Sequence, residues 1–447
     1  MTSSDDDSVN IQERLLDRGV VSYEGDDRAK SVRSSRGSHK IEDVGSNGEL
    51  WTAMLVFKSY IGAGILSLPY AFAQGKFIAA NALTLLSAFL SLYCIWLLLD
   101  VHSALPANVT SLEDIVQACF GGRATRQGRA SFFTIQFALA FTQTGFSIAY
   151  VLFISQSIGS FVPLWDWRWF AVALVPFLYG LLLIKQLKSL GAIVALGFIA
   201  IMAALIAVVV YVLIDHRSAL YLHLHDSAFL TQVDIANIPI CLGLIVYVFE
   251  GIGLVVPLKK AMRRPQRFRR IISLSYIFMT LLFTAFPTVC YFALDNLSSG
   301  GIIADLPQFG VWAPLSIALK VVLSLALWVT YPVQMFPVLE IVENHLFTRS
   351  TPNLELKRNY VRFVAVIGTV LVAVLVPHFS LFMSLIGNLG SACLMFVVPT
   401  VCHIRMFSGT TAFPKLMFHV AIVFFGVVVA VIGTYMSVSE LIAAGGT

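Results

Sequence analysis

The stretch KSYIGAGILSLP, residues 58–69, lies inside the first apolar run of the chain and makes a poor membrane helix. It holds a lysine, two glycines and a proline where an ordinary buried helix carries leucine and alanine. Glycine lets the backbone leave helical geometry, and proline withholds one N–H from the helical hydrogen-bond ladder. The stretch therefore predicts a helix that is interrupted within its apolar run.

The composition of the whole chain places it among membrane proteins. Of its 447 residues, 58% are hydrophobic and 12% are charged, and the mean hydropathy is +0.82. Soluble chains carry about 25% charged residues. The first 50 residues differ from the rest, because they are rich in Ser, Asp and Arg and contain almost no aromatic residues. We therefore predict a disordered tail over 1–50 and a transmembrane domain over 51–447.

Eleven apolar runs follow the tail and decide the fold class. Each has roughly the 20 residues that a helix needs to cross a bilayer, and they do not show the alternating pattern of barrel strands. The runs are 51–72, 77–100, 130–157, 169–184, 189–214, 236–258, 271–294, 313–340, 361–377, 380–404 and 414–437. In lipid, the backbone N–H and C=O groups of a chain that does not close into a barrel are all hydrogen-bonded only in helices. The sequence therefore predicts an all-α polytopic membrane protein with eleven transmembrane helices.

The charges of the loops give an orientation to these runs. With eleven spans, eighteen of the loop lysines and arginines fall on the side of the tail and three on the other side. The positive-inside rule then places the N-terminus in the cytosol and the C-terminus outside the cell or in a lumen.

The interrupted stretch of the first run has a counterpart in the sixth. GAGILSLP (62–69) and GIGLVVP (251–257) both place Gly-x-Gly ahead of apolar residues and a proline, and each heads a set of five runs. Matching breaks in two halves are typical of inverted-repeat transporters whose site lies at the breaks. Backbone N–H groups freed there can hold a carboxylate, and freed carbonyls can hold a cation or an ammonium group. Alternatively, the glycines only permit close helix packing.

Glu250 is the carboxylate that lies well inside an apolar run. A charge at that depth costs several kcal/mol unless it is paired, hydrated or protonated. We interpret it as a proton carrier or as a ligand of substrate or ion. The alternative is a structural hydrogen bond that braces a broken helix.

Four motifs carry a resemblance to a known family. They are KSYIGAGILSLPYAF (58–72), YVFEGIGLVVPLKKAMRRPQRF (247–268), YPVQMFPVLEIVE (331–343) and SLIGNLGSACLMFVVPTVCHI (384–404). In order and spacing they resemble the signatures of the amino acid/auxin permease family, the transmembrane amino acid transporters. The FEGIG segment looks most like that of the proton-coupled and the vacuolar amino acid transporters.

The resemblance implies a fold, a LeuT-like 5+5 inverted repeat with one extra helix and with helices 1 and 6 broken. Repeat one then covers about 51–214, repeat two about 236–404, and the extra helix about 414–437.

The resemblance also implies the residues of a substrate site. The break of span 1, the break of span 6 and part of span 3 line it; these residues are Ile61, Gly62, Ala63, Gly64, Ile65, Phe249, Glu250, Gly251, Ile252, Gly253, Gln143, Ser147 and Tyr150. Thr330 matches the position that holds sodium in sodium-coupled relatives. Lys58 and Glu340 are expected on the same cytosolic side and form a candidate inner gate, or each snorkels to the interface.

The predicted function is secondary active transport of small neutral amino acids, coupled to H⁺ through Glu250. The alternatives are coupling to Na⁺ at Thr330 and an amino acid sensor that signals through its tail. An enzyme is not expected, because the runs hold no paired aspartates and no histidine-rich motif. We predict no cofactor, metal site or nucleic acid partner, with the amino acid and membrane lipids as partners. The vacuolar or lysosomal membrane and the plasma membrane both stay open, and the sequence indicates no oligomeric state.

Overall fold

The computed structural model describes most of the predicted membrane domain. The described residues are 45, 47–106, 109–162, 164–184, 187–294, 297–298, 300–307, 309–348, 352–376 and 378–445, without the side chains of 187–194. Residues 1–44 and 46 of the predicted tail lie outside this set.

The regular secondary structure of the described residues is helical, apart from one isolated bridge between Asn47 and Met262. Its α-helices are α1 Glu49–Tyr60, α2 Leu68–Ala104, α3 Leu112–Cys119, α4 Arg126–Gly159, α5 Trp167–Ala173, α6 Val175–Leu182, α7 Leu187–Asp215, α8 Arg217–His225, α9 Ser227–Thr231, α10 Ile238–Phe249, α11 Ile252–Ala261, α12 Phe268–Ala293, α13 Ala313–Leu346, α14 Leu354–Leu375, α15 Phe379–Ile386, α16 Val398–Met406, α17 Phe413–Val428 and α18 Thr434–Gly445. Shorter 3₁₀ and π segments are Ala63–Ser67, Pro265–Arg267, Gly387–Ser391, Cys393–Val397 and Val429–Gly433.

Within the described residues, nine helical stretches are long and apolar enough to cross a membrane. They are Ala63–Ala104, Arg126–Gly159, Ala195–Asp215, Ile238–Ala261, Pro265–Ala293, Ala313–Leu346, Leu354–Leu375, Phe379–Met406 and Phe413–Ala444. A shorter apolar stretch covers Trp167–Leu182. The prediction of an all-α polytopic protein is confirmed.

Lys76 lies at a bend inside α2. In the sequence, this residue falls in the gap between the first two predicted runs. Its backbone lies at φ 62°, ψ 172°, outside helical geometry, so α2 changes direction there. Gly75 precedes the bend, and a Cβ at that position would lie 2.6 Å from Cys241 Sγ of α10. The close approach of α2 to α10 therefore requires glycine at this position.

The middle of the molecule is formed by three of the long stretches. In each of these stretches, at least 72% of the most apolar part is buried inside the protein, whereas in Leu354–Leu375 the buried share is 22%. The three stretches are Arg126–Gly159, Ile238–Ala261 and Phe379–Met406. Outer helices expose large apolar side chains such as Phe89 and Leu281, which suits contact with lipid. These three stretches therefore form much of the protein interior.

A buried amide ties the last part of the chain to α10. Asn388 Nδ2 lies 3.2 Å from Pro239 O, 3.3 Å from Ser384 Oγ and 3.1 Å from Ser437 Oγ, so its two N–H groups are shared among three acceptors. Ser384 Oγ also donates to Ile240 O at 3.0 Å. In an apolar interior such bonds fix neighbouring helices, because unpaired polar groups there are costly. The network therefore fixes the start of α10, the helix that ends at Phe249.

Candidate functional site

The backbone leaves helical geometry at the predicted break of the first run. Helix α1 ends at Tyr60, Ile61 is extended at φ −91°, ψ 100°, and the 3₁₀ segment Ala63–Ser67 leads into α2. The first N–H groups of a helical segment have no partner within it, so those that follow Gly62 are free to bind a ligand. A Cβ at Gly64 would lie 2.8 Å from the ring of Tyr247, so this segment lies directly against α10.

The sixth run shows the matching interruption. Helix α10 ends at Phe249, Glu250 is extended at φ −75°, ψ 132°, and α11 begins at Ile252. A Cβ at Gly251 would lie 2.6 Å from Tyr60 Cζ, at the end of α1. The two interruptions therefore touch each other, although they are far apart in sequence.

A cavity of about 190 Å³ lies between the two interruptions. That volume is far above the roughly 10–15 Å³ that one water molecule needs. Eight of the predicted site residues line it, namely Lys58, Ile61, Gly62, Ala63, Gly64, Tyr150, Glu250 and Thr330. From the interruptions the lining continues to Leu55 of α1 and Leu258 of α11, so the cavity extends toward the side on which α1 begins.

The rest of the predicted set does not line this cavity: Ile65, Gln143, Ser147, Phe249, Gly251, Ile252, Gly253 and Glu340. Phe249 turns toward α12, where its ring stacks on Tyr276 at 6.0 Å and meets Phe283 at 5.2 Å. The expectation that Phe249 lines the site does not match this geometry, because aromatic packing with α12 holds the ring. Gly251 and Gly253 instead give room to Tyr60 and Leu139, respectively.

Of the three residues of α4 that were predicted to line the site, Tyr150 lines the cavity and the other two do not. Ser147 is fully buried, and its hydroxyl donates to Gln143 O within the same helix at 3.0 Å. Gln143 is also buried, and its Oε1 has no hydrogen-bond partner. These two side chains are therefore buried in the protein interior around α4 and do not line the cavity.

Glu250 is the carboxylate in the cavity lining. It is 4% exposed, and its Oε1 has no hydrogen-bond partner. The ion pairs found within the described residues do not include it, so no described cation lies within 4.0 Å. A carboxylate in such surroundings needs a proton, a cation or water to offset the cost of burial.

The structure places Lys58 and Glu340, the predicted inner gate, in different surroundings. Lys58 is partly buried in the cavity lining, whereas Glu340 is exposed and outside it. They do not form an ion pair among those found in the described part of the chain. Thr330 lines the cavity, and its hydroxyl donates to Ala326 O at 2.7 Å, which leaves its oxygen lone pairs available.

Gln334 is a lining residue that the sequence reasoning missed. Its Nε2 donates to Tyr150 Oη at 3.2 Å, which links α13 to α4 across the cavity. A Cβ at Gly62 would lie 3.1 Å from the same hydroxyl, so Gln334 holds the phenol over the first interruption. The signal was available, because Thr330 and Gln334 are four residues apart and share one helix face.

Comparison with known proteins identifies a family model and related sequences. A family model described as "Transmembrane amino acid transporter protein" matches residues 46–439. The amino acid transporter AVT3A of Arabidopsis thaliana is 26% identical over 87% of this chain and 89% of its own length. Vacuolar amino acid transporter 4 of Saccharomyces cerevisiae is 25% identical over 97% of this chain and 63% of its own length.

A solved structure shows a likeness in fold. A Na⁺-coupled sialic acid symporter, in a substrate-bound outward-open state, superposes with a TM-score of 0.52 at 12% identity. The match covers 97% of this chain and 96% of the symporter. At this identity the likeness shows a shared fold, that of the LeuT-like transporters.

Proposed function

We propose, from the premise that the chain belongs to the transmembrane amino acid transporter family, that it is a secondary active transporter of small neutral amino acids. The observation that carries the proposal is the cavity at two touching helix interruptions, with Glu250 unpaired in its wall. Its polar lining includes one carboxylate and one ammonium group, from Glu250 and Lys58, while most other lining side chains are apolar. Such a site suits a small zwitterion better than a ligand with net charge.

We infer eleven transmembrane crossings with the first and sixth broken. The bend at Lys76 divides α2, so that α1 and the start of α2 form one crossing and the rest of α2 forms the next. The stretch Trp167–Leu182 adds the fourth crossing, since its helical rise is about 24 Å. Together with the other eight long stretches this makes eleven, with the N-terminus in the cytosol.

The substrate binds with its carboxylate at the free N–H groups that follow Gly62. A helix N-terminus favours an anion through these groups and its dipole. The last carbonyls of α10 accept from the amino group, and the Tyr150 hydroxyl, held by Gln334, closes the site over Gly62. The side chain of the substrate then faces the apolar wall.

Glu250 carries the coupling proton in this proposal. Its protonation removes a buried charge, which lowers the cost of moving the loaded site through the occluded state. The alternative coupling ion is Na⁺, and the cavity position of Thr330 favours that alternative. Proton coupling predicts accumulation driven by a pH gradient, whereas sodium coupling predicts accumulation that does not respond to it.

The cavity corresponds to an inward-facing state when the N-terminus is cytosolic. It extends toward Leu55 and Leu258, and the candidate gate residues Lys58 and Glu340 lie in different surroundings. In the outward-facing state these two residues pair and close the inner side. Reorientation then moves α1 and α11 against the helices that carry Tyr150 and Gln334.

The vacuolar membrane is the proposed location, because yeast relatives carry that location in their names. An acidic lumen then drives amino acids with protons toward the cytosol.

Uptake into proteoliposomes tests this function. Purified protein is assayed with a radiolabelled mixture of neutral amino acids, with a pH gradient, with a sodium gradient and with neither. Accumulation driven by the pH gradient supports the proposal. Accumulation that depends on sodium and ignores pH assigns coupling to Thr330. Absence of flux under all three conditions contradicts transport and favours a sensor.

A further inference from the structure

A second groove lies apart from the central cavity, between α3, the beginning of α4 and α16. It encloses about 520 Å³ and is lined on one side by Phe120 and Ala130 and on the other by Val398 and Arg405. We call it the Arg405 groove. It shares none of its lining residues with the central cavity, so transport as proposed above does not use it.

One end of the Arg405 groove is positively charged. Arg405 is exposed, and its guanidinium group lies 4.2 Å from the centre of the Phe120 ring. The ion pairs of the described residues do not include Arg405, whereas the carboxylate of Asp114 on α3 lies 3.9 Å from Arg123. Gln127 lies at the same end of the groove and is exposed. This end therefore offers a guanidinium group and an amide as donors to an anion.

The rest of the Arg405 groove is apolar. Ile135 lies about 12 Å along α4 from Gln127, and Val398 lies about 10 Å along α16 from Arg405. Ser131 and Thr134 also line the groove, but their hydroxyls donate to Gly128 O at 2.9 Å and to Ala130 O at 3.0 Å within α4. Because both donors are used internally, the wall offers little to a polar solute.

The two ends have a fixed order relative to the membrane. Gln127 lies in the first turn of α4, and Arg405 lies in the last turn of α16, so the charged end is at the membrane surface and the apolar wall extends inward. By the loop charges this is the cytosolic surface, where lipids are anionic. A free anion would leave the apolar wall uncovered, whereas a lipid matches both parts.

We propose that the Arg405 groove binds an anionic phospholipid of the cytosolic leaflet. The lipid phosphate lies at Arg405 and Gln127, and one acyl chain lies along Ala130, Ile135 and Val398. The phospholipid contacts α3, α4 and α16 together, and so it stabilises their packing at one membrane surface.

Native mass spectrometry of the purified protein tests the site. Delipidated protein is titrated with phosphatidylserine and with phosphatidylcholine of the same acyl chains. The wild type is expected to retain the serine lipid about fivefold more, because one arginine near a membrane surface contributes about that factor in affinity. Arg405→Gln is expected to lose the preference, and Arg405→Lys to keep it. Arg263→Gln, which removes an exposed arginine from another loop, is the matched control and is expected to keep it.

Two results overturn the proposal. One is a wild type that retains both lipids equally, and the other is an Arg405→Gln variant that matches Arg263→Gln. Ala130→Phe decides the question if Arg405→Gln does not fold, because it fills the apolar wall and leaves the charge in place. Loss of retained phosphatidylserine in that variant supports the site, and unchanged retention overturns it.

Discussion

Glu343 and Glu250 are both buried in membrane-spanning helices, and their surroundings are opposite. Glu343, near the end of α13, has Arg362 Nε 3.1 Å from Oε1 and Arg358 Nε 3.0 Å from Oε2. Arg362 also donates to Leu182 O at 3.2 Å, so this group joins α13, α14 and α6. Glu250 lies between α10 and α11 with an unpartnered Oε1, at the wall of the central cavity.

With the transport function proposed above, the difference separates a structural carboxylate, Glu343, from a coupling carboxylate, Glu250. Glu343 is a structural carboxylate, because its loss leaves Arg362 without a described carboxylate partner and leaves Arg358 with Glu355 at 3.9 Å. The protonation state of Glu250 can change with little rearrangement, since no described cation depends on it. The comparison predicts that substitutions at the two sites affect different measurable properties.

Glu250→Gln is expected to have the largest effect. The amide keeps the shape of the side chain but cannot gain or lose a proton, so accumulation against a gradient is abolished. The accumulation is measured as amino acid uptake into proteoliposomes when the side from which the amino acid is taken is acidic. Retained accumulation in this variant would place proton coupling at another group.

Glu343→Gln is expected to lower stability by about 3 kcal/mol, the low end of the range for loss of one partner of a buried ion pair. The midpoint of thermal unfolding in detergent measures the change. The pH dependence of uptake per folded molecule should stay that of the wild type. A shift in that dependence would show that the contrast between the two glutamates is false.

Gly64→Ala is expected to raise the barrier to transport by about 2 kcal/mol, roughly thirtyfold in rate. The added methyl group lies 2.8 Å from the Tyr247 ring and forces the 3₁₀ segment Ala63–Ser67 away from α10. Gly180→Ala is the matched control, because a Cβ there has no atom within 4 Å. Initial rates of uptake compare the two, and equal rates would contradict the close approach at the first interruption.

Gln334→Leu is expected to have the smallest effect, a rise in KM of about fivefold. The reason is the loss of one hydrogen bond, which contributes about 1 kcal/mol. A double-mutant cycle with Tyr150→Phe measures the coupling between the two residues. Additive losses would show that Gln334 does not act through the phenol.

The sequence predicted the helical class and the place of both interruptions, because glycine and proline act locally on the backbone. Lys76 was expected in a loop, and it forms a bend within α2. Gln143 and Ser147 were assigned to the site by resemblance, but the rotation of α4 presents Tyr150 to the cavity instead. Phe249 was misplaced because its direction depends on rings of α12 that only the fold brings near. Thr330 indicates the helix face on which Gln334 lies, but local patterns do not show that this face meets Tyr150 of α4.

Proton movement during amino acid uptake tests the central claim most directly, namely that unpaired Glu250 carries the coupling proton. A pH-sensitive dye trapped in proteoliposomes reports the protons that enter when substrate is added outside, with isotope exchange measured in parallel. The account predicts proton entry with substrate in the wild type, and exchange without proton entry in Glu250→Gln. Proton entry at the wild-type level in Glu250→Gln, with exchange intact, would contradict it.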